Sequence, residues 1–160
     1  MGVRHRLIKK SPKEVWAVLA DGTRYADWVV GTASSYPVRG QWPQVYSAIG
    51  YEVRVGLWNL TNQTVVRACE EGRELELEAI AGPLGTARIA IELRPWGEYT
   101  LVIIDEHPLQ GVGGFLHNAG LEAFIQVRHR TMLKRLAEVC EEGRGESRST
   151  PSAPARPKPA

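Results

Sequence analysis

Polar and apolar positions alternate unevenly along this chain, and the breaks in the alternation are as informative as the runs. From Val3 to Lys9, Val3, His5, Leu7 and Lys9 stand against Arg4, Arg6, Ile8 and Lys10, a weakly patterned strand. At Ser11 the period changes. Ser11 sits as an N-cap, Pro12 occupies the first helical position, where its missing N–H costs nothing, and Glu14 completes a capping box. Val15, Val18 and Leu19 then share one face with Trp16 beside it. Gly22 is expected to stop this helix in the left-handed conformation, and Thr23 to Trp28 to make one more short helical turn.

The next eighty residues read as strands separated by turns. Val29 to Val38 is the first run, broken by Arg39-Gly-Gln-Trp-Pro43, and Tyr46 to Trp58 and Thr61 to Cys69 follow. After a turn at Glu70-Glu-Gly72, the segment Glu74 to Ala81 sets Leu75, Leu77 and Ala79 against Glu74, Glu76 and Glu78, a half-buried strand with a charged outer face. Gly82-Pro-Leu-Gly85 turns the chain, Ala87 to Leu93 alternates again, Pro95-Trp-Gly-Glu98 turns it once more, and Tyr99 to Glu106 is the last strand. Turns this short join antiparallel neighbours, because a parallel crossover needs a dozen residues or more.

Gly111, Gly113 and Gly114 precede a final helix expected from Leu116 to Glu142. At 1.5 Å per residue it is about 40 Å long, enough to cross the whole sheet. Leu121, Phe124, Ile125, Met132, Leu136 and Val139 form its apolar face, with Arg128 set inside that face and Arg135 towards its edge.

Composition adds boundaries. The 160 residues are 43% hydrophobic and 24% charged, as expected of one globular domain. The formal charge of +2 is concentrated in the tail, where Arg144, Arg148, Arg156 and Lys158 face only Glu146. The rest is close to neutral, which argues against nucleic acid as a partner. Residues 143–160, rich in Pro, Ser and Arg, lack the apolar surface to fold and are expected to be a disordered tail, leaving 1–142 as the domain. Met1 to Lys10 is too polar for a signal peptide, no run is long enough to span a bilayer, and Cys69 and Cys140 form no CxxC. A cytoplasmic protein with reduced thiols is the expectation. Without export, Asn59-Leu-Thr61 and Asn62-Gln-Thr64 are chance matches to the glycosylation pattern.

The order strand, two short helices, antiparallel strands and long C-terminal helix resembles the START-like, helix-grip superfamily, which includes polyketide cyclase/dehydrase-type proteins. The residues carrying the likeness are Ser11-Pro-x-Glu-Val-Trp16, Asp21-Gly-x-x-x-Tyr-x-x-Trp28, Glu106-x-Pro108 and Arg130-x-x-Leu-Lys-Arg-Leu-Ala-Glu138, and it covers about residues 2–142. The resemblance implies an α+β fold, a curved antiparallel sheet wrapped around the C-terminal helix. It also implies a cavity between the two that holds a hydrophobic or aromatic small molecule such as a lipid or polyketide.

Several residues are candidates to line that cavity. Arg128, on the apolar face of the last helix, is placed to bind a carboxylate, enolate or phosphate, or to pair with a strand carboxylate. Glu106 has the parity of Val102 and Ile104, so an inward face would place its carboxyl at the cavity rim, where desolvation would raise its pKa towards that of a general base, or where it would serve as a structural partner for Arg128. His107 points the other way. Trp28, Trp42, Tyr46 and Trp58 fit an aromatic wall or ordinary core packing. His117 and Asn118 stand at the helix start, as entrance or cap, with Leu121 and Phe124 following.

No cofactor or metal is called for. Leu116 stands where a dinucleotide fingerprint needs its third glycine, and His5, His107, His117 and His129 lack metal-ligand spacing. A ligand binder is the leading expectation. A cyclase/aromatase- or dehydratase-like enzyme with Glu106 or a tyrosine moving a proton is the alternative. An accessory role through the Trp42-Pro43 loop is a third reading. The sequence leaves the oligomeric state open.

Overall fold

Short local signals set the entry to the fold. A computed structural model describes residues 2–55, 57–80, 85–110 and 119–142. Strand β1 (Gly2–Ile8) leads into helix α1 (Pro12–Leu19) through the capping box read from the sequence. Glu14 N–H donates to Ser11 Oγ at 3.3 Å and Ser11 N–H donates to Glu14 Oε2 at 3.0 Å. Val15, Trp16, Val18 and Leu19 are buried, so the helix is held by its apolar face as well as its cap.

The helix does not end on a left-handed glycine. Its C-cap is Ala20 in ordinary right-handed geometry, and Asp21 caps a 3-10 turn at Gly22–Arg24 by accepting from Thr23 N–H at 3.0 Å. Gly22 sits where a side chain would be tight. A Cβ there would stand 3.0 Å from Ile49 Cδ1 and 3.3 Å from Trp42 Cγ. Helix α2 (Tyr25–Trp28) completes the second helical turn and buries Tyr25 and Trp28.

Strands β2 (Thr32–Arg39), β3 (Ala48–Val55), β4 (Trp58–Glu70), β5 (Glu74–Ile80), β6 (Thr86–Trp96) and β7 (Tyr99–Gln110) join β1 in one seven-stranded antiparallel sheet, ordered β1-β7-β6-β5-β4-β3-β2. Three boundaries differ from the sequence expectation. The run Tyr46–Trp58 is no single strand, because Val55 opposes Trp58 across a hairpin, and Trp58 opens β4. Pro95 and Trp96 lie inside β6, and the turn is only Gly97-Glu98, with Gly97 at φ +61° as a tight hairpin requires. Strand β7 runs past Glu106 to Gln110. Pro108 is tolerated because the register of β1 against β7 ends at Gly2 opposite Glu106, leaving that flank of β7 without a partner strand among the described residues. The expected turn at residues 82–85 falls mostly outside the described residues, as do Gly111, Gly113 and Gly114.

Helix α3 (Ala119–Glu142) packs against β1, α1 and α2, with its described start three residues later than the expected Leu116. Its buried face is His129, Met132, Leu133, Leu136, Ala137 and Cys140, with Val139 only half-buried. The face read from the sequence is therefore turned by about one residue position. These side chains join Ile8, Leu75, Leu77, Ile91, Leu93, Val102 and Ile104 from the sheet in one core, so the curved sheet grips α3 as the helix-grip resemblance implies. Among the described residues no helix is long and apolar enough to cross a membrane.

Gly22→Ala should lower the unfolding free energy by roughly 1–3 kcal/mol, the usual cost of overpacking. A urea titration checks this as a lower midpoint with an unchanged m-value. An unshifted midpoint would show that Ile49 and Trp42 can give way.

Candidate functional site

The inward face of β7 runs Thr100, Val102, Ile104 and Glu106, so its last inward position of pairing with β1 carries an acid. Val102 and Ile104 are fully buried, and by the same alternation Glu106 is buried at 5% exposure. Its carboxylate meets two consecutive residues of α3. Arg128 Nη1 donates to Oε1 at 3.1 Å and Oε2 at 3.2 Å, and His129 Nε2 lies 2.5 Å from Oε2. Neighbouring helix positions point about 100° apart. That angle lets the two side chains converge on one acid, His129 from the fully buried side and Arg128 from the more open side.

Burial pushes the Glu106 carboxyl up. The His129 hydrogen bond and the Arg128 guanidinium push it down and prevail, so it lies below the usual carboxylate value of 4.5. This is opposite in direction to the general-base expectation drawn from burial alone. An ionised carboxylate only accepts, so His129 Nε2 carries the hydrogen of the shared bond. His129 Nδ1 is buried and has no hydrogen-bond partner among the described residues.

Tyr25 and Tyr51 extend the polar group into an aromatic one. The Tyr25 hydroxyl and Thr64 Oγ1 are 2.8 Å apart, both buried. The Tyr25 ring centroid lies 5.5 Å from that of Trp28, 5.9 Å from Trp42 and 5.8 Å from Tyr51. Burial pushes both phenols above their ordinary value, most strongly for Tyr25, and Arg128 opposes that rise at each. Both hydroxyls are therefore neutral at physiological pH and can donate or accept.

Of the residues expected from the sequence, Glu106 and Arg128 come together and Trp28 is buried beside Tyr25. Trp42 is half-buried and donates its Nε1–H to Leu19 O at 3.0 Å. It also lines a depression of about 190 Å³ with Gly22, Tyr36 and Ile49. Tyr46 does not join the aromatic wall, because it sits at φ +67° before β3 and is 66% exposed. His107 bonds Asp105 at 2.8 Å and lies on the outer parity, as expected. Asn118 and His117, and the side chains of Trp58, Leu121 and Phe124, lie outside the described residues.

The sequence reading missed His129, Tyr25, Tyr51 and Thr64. A signal existed for His129, which stands four residues after Ile125 and three before Met132, on the apolar side of the helix. For Thr64 there was none.

The chain's residues 3–141 match the family described as polyketide cyclase/dehydrase and lipid transport. No curated protein matches by sequence. Among solved structures, Ara h 8.0201 superposes with a TM-score of 0.70 at 8% identity, covering 88% of this chain and 97% of its own. The Zhui aromatase/cyclase from Streptomyces sp. R1128 gives 0.68 at 17% identity over 91% and 96%. TTHA0849 from Thermus thermophilus gives 0.67 at 14% over 88% and 97%. At these identities the likeness is one of fold.

Because the folded carboxyl of Glu106 titrates below its unfolded value, the stability it contributes is complete above about pH 4.5 and is lost as pH falls through the folded value. Urea midpoints between pH 3 and 7 should therefore fall less steeply on acidification in Glu106→Gln than in the parent chain. Parallel curves would deny the clamp. At neutral pH, Glu106→Ala should cost about 3–5 kcal/mol, because it strands buried donors.

Proposed function

Since this chain belongs to the polyketide cyclase/dehydrase and lipid transport family, we propose that it binds a hydrophobic or aromatic small molecule, such as a lipid or polyketide, between the concave sheet face and α3. The binding unit is residues 1–142, with 143–160 a tail outside it. The observation that carries this reading is Arg128. Its side chain is 21% exposed at the open side of an otherwise buried cluster, and only Nη1 is bonded among the described residues. The donors on Nε and Nη2 are left to orient a ligand's polar end, while apolar burial supplies most of the affinity.

The pairing also narrows that polar end. Glu106 already balances the guanidinium, so a neutral carbonyl or hydroxyl fits better than a second carboxylate. The buried Tyr25 and Tyr51 hydroxyls suit the same oxygen functions. Catalysis as a cyclase or dehydratase asks for a proton acceptor poised near neutrality, and Glu106 is shifted the other way. That favours binding over turnover. The free thiols Cys69 and Cys140, the latter pushed up to about 12 mainly by burial, fit a cytoplasmic setting.

Native mass spectrometry of the protein purified from its own host, followed by extraction, should find an apolar, oxygen-bearing ligand retained. Arg128→Ala should weaken its binding about tenfold, the loss of one charge-assisted contact. Circular dichroism establishes that the variant is folded. Unchanged affinity for every ligand would remove Arg128 from the orienting role.

A further inference from the structure

A second polar concavity lies outside the proposed cavity, on the edge of the sheet. Strand β1 is an edge strand, and its even positions from Gly2 to Ile8 share the face on which Ile8 enters the core. Arg4 reaches α3 from that face and donates Nη2–H to Gln126 Oε1 at 2.6 Å. Val3, Arg4, His5 and Arg6 of β1, with Arg130 and Leu133 of α3, line an open groove of about 470 Å³.

Many of the arginines elsewhere on the surface are paired, though Arg39 and Arg135, like those of the groove, hold no carboxylate among the described residues. Arg24, Arg67, Arg73, Arg88 and Arg94 each hold a carboxylate within 3.4 Å, and Arg128 holds Glu106. Among the described residues, Arg4, Arg6 and Arg130 hold none. Of the described acids packed nearby, Glu138 pairs with Lys134 at 3.7 Å and Glu141 accepts from Lys9 N–H at 3.1 Å. Asp105 bonds His107 through Oδ2 and leaves Oδ1 without a partner among the described residues, but by strand parity it lies on the face opposite to Arg4 and Arg6. Three guanidiniums thus line one concavity with no ion pair among the described residues, on a fold whose charge is otherwise close to balanced. Net charge hid this from the sequence, because the fold gathers cations from two distant segments.

We propose that this groove binds a phosphate-type oxyanion, as a free phosphate ester or as the headgroup of a phospholipid. A guanidinium fork matches the spacing of phosphate oxygens and donates two parallel hydrogen bonds to them. Val3 and Leu133 offer apolar surface for the organic part attached to the phosphate. The site shares no residue with the Glu106 cluster, so it stands whether or not the cavity takes a ligand.

The test uses the full chain with two probes, sodium pyrophosphate followed by calorimetry and vesicles of phosphatidylcholine with one quarter phosphatidylglycerol followed by co-sedimentation. Pyrophosphate binding assigns a free anion, and retention on the anionic vesicles but not on pure phosphatidylcholine assigns a headgroup. Either should weaken about tenfold or more in the Arg6→Gln, Arg130→Gln double variant, at the usual worth of charged hydrogen bonds. Thermal unfolding should show that variant as stable as the parent. Vesicle retention should survive Arg144→Gln, Arg148→Gln and Arg156→Gln in the tail. No binding of either probe at millimolar concentration, or binding indifferent to the groove substitutions, overturns the proposal.

Discussion

The Glu106 carboxylate, buried where the last strand meets the last helix, constrains everything around it. A charge in that position is costly to strip of water, and only an opposite charge and hydrogen-bond donors with good geometry make it tolerable. Arg128 supplies the charge and His129 a second donor, and the two converge on one acid from two directions because they are adjacent on α3. The contact fixes α3 both along its axis and in rotation, since a shift of one residue would take either donor away. The strand alternation that buries Val102 and Ile104 delivers the carboxylate to the same face. Sheet register and helix rotation are thus coupled through a single side chain.

That coupling shapes what the interior can do. The cluster holds an ionised acid, a balanced guanidinium and neutral hydroxyls on Tyr25 and Tyr51, among otherwise apolar walls. Under the proposed function, such a surface would orient an oxygen-bearing ligand without demanding charge from it. The edge groove has the opposite character, with unbalanced cations and open access. The two regions meet on α3, where Arg128 serves the first and Arg130 the second, two positions apart and on different faces of the helix.

The fold was readable wherever local chemistry and tertiary structure agreed. The Ser11–Glu14 capping box and the Leu75-Leu77-Ala79 alternation reappear as expected, because each is decided by neighbours in sequence. Boundaries failed where distant contacts decide. Gly22 looked like a helix stop, but its missing side chain makes room for Ile49 and Trp42. Pro95 and Trp96 looked like a turn, yet the ladder to β7 carries them as strand. Within the site, Glu106 and Arg128 were found by parity and by polarity on an apolar stripe. His129 lacks metal-ligand spacing and so escaped, although its helical spacing to Ile125 and Met132 puts it on the apolar side. The direction of the Glu106 shift escaped because it depends on partners twenty-two and twenty-three residues away in sequence.

The central claim is that Glu106 is an ionised clamp between sheet and helix. Its most direct test is a carbon-13 NMR titration of the Glu106 side-chain carboxyl in the folded protein. A midpoint below the ordinary value of 4.5 is predicted. A midpoint at or above that value would contradict the account, and would return Glu106 to candidacy as a proton acceptor.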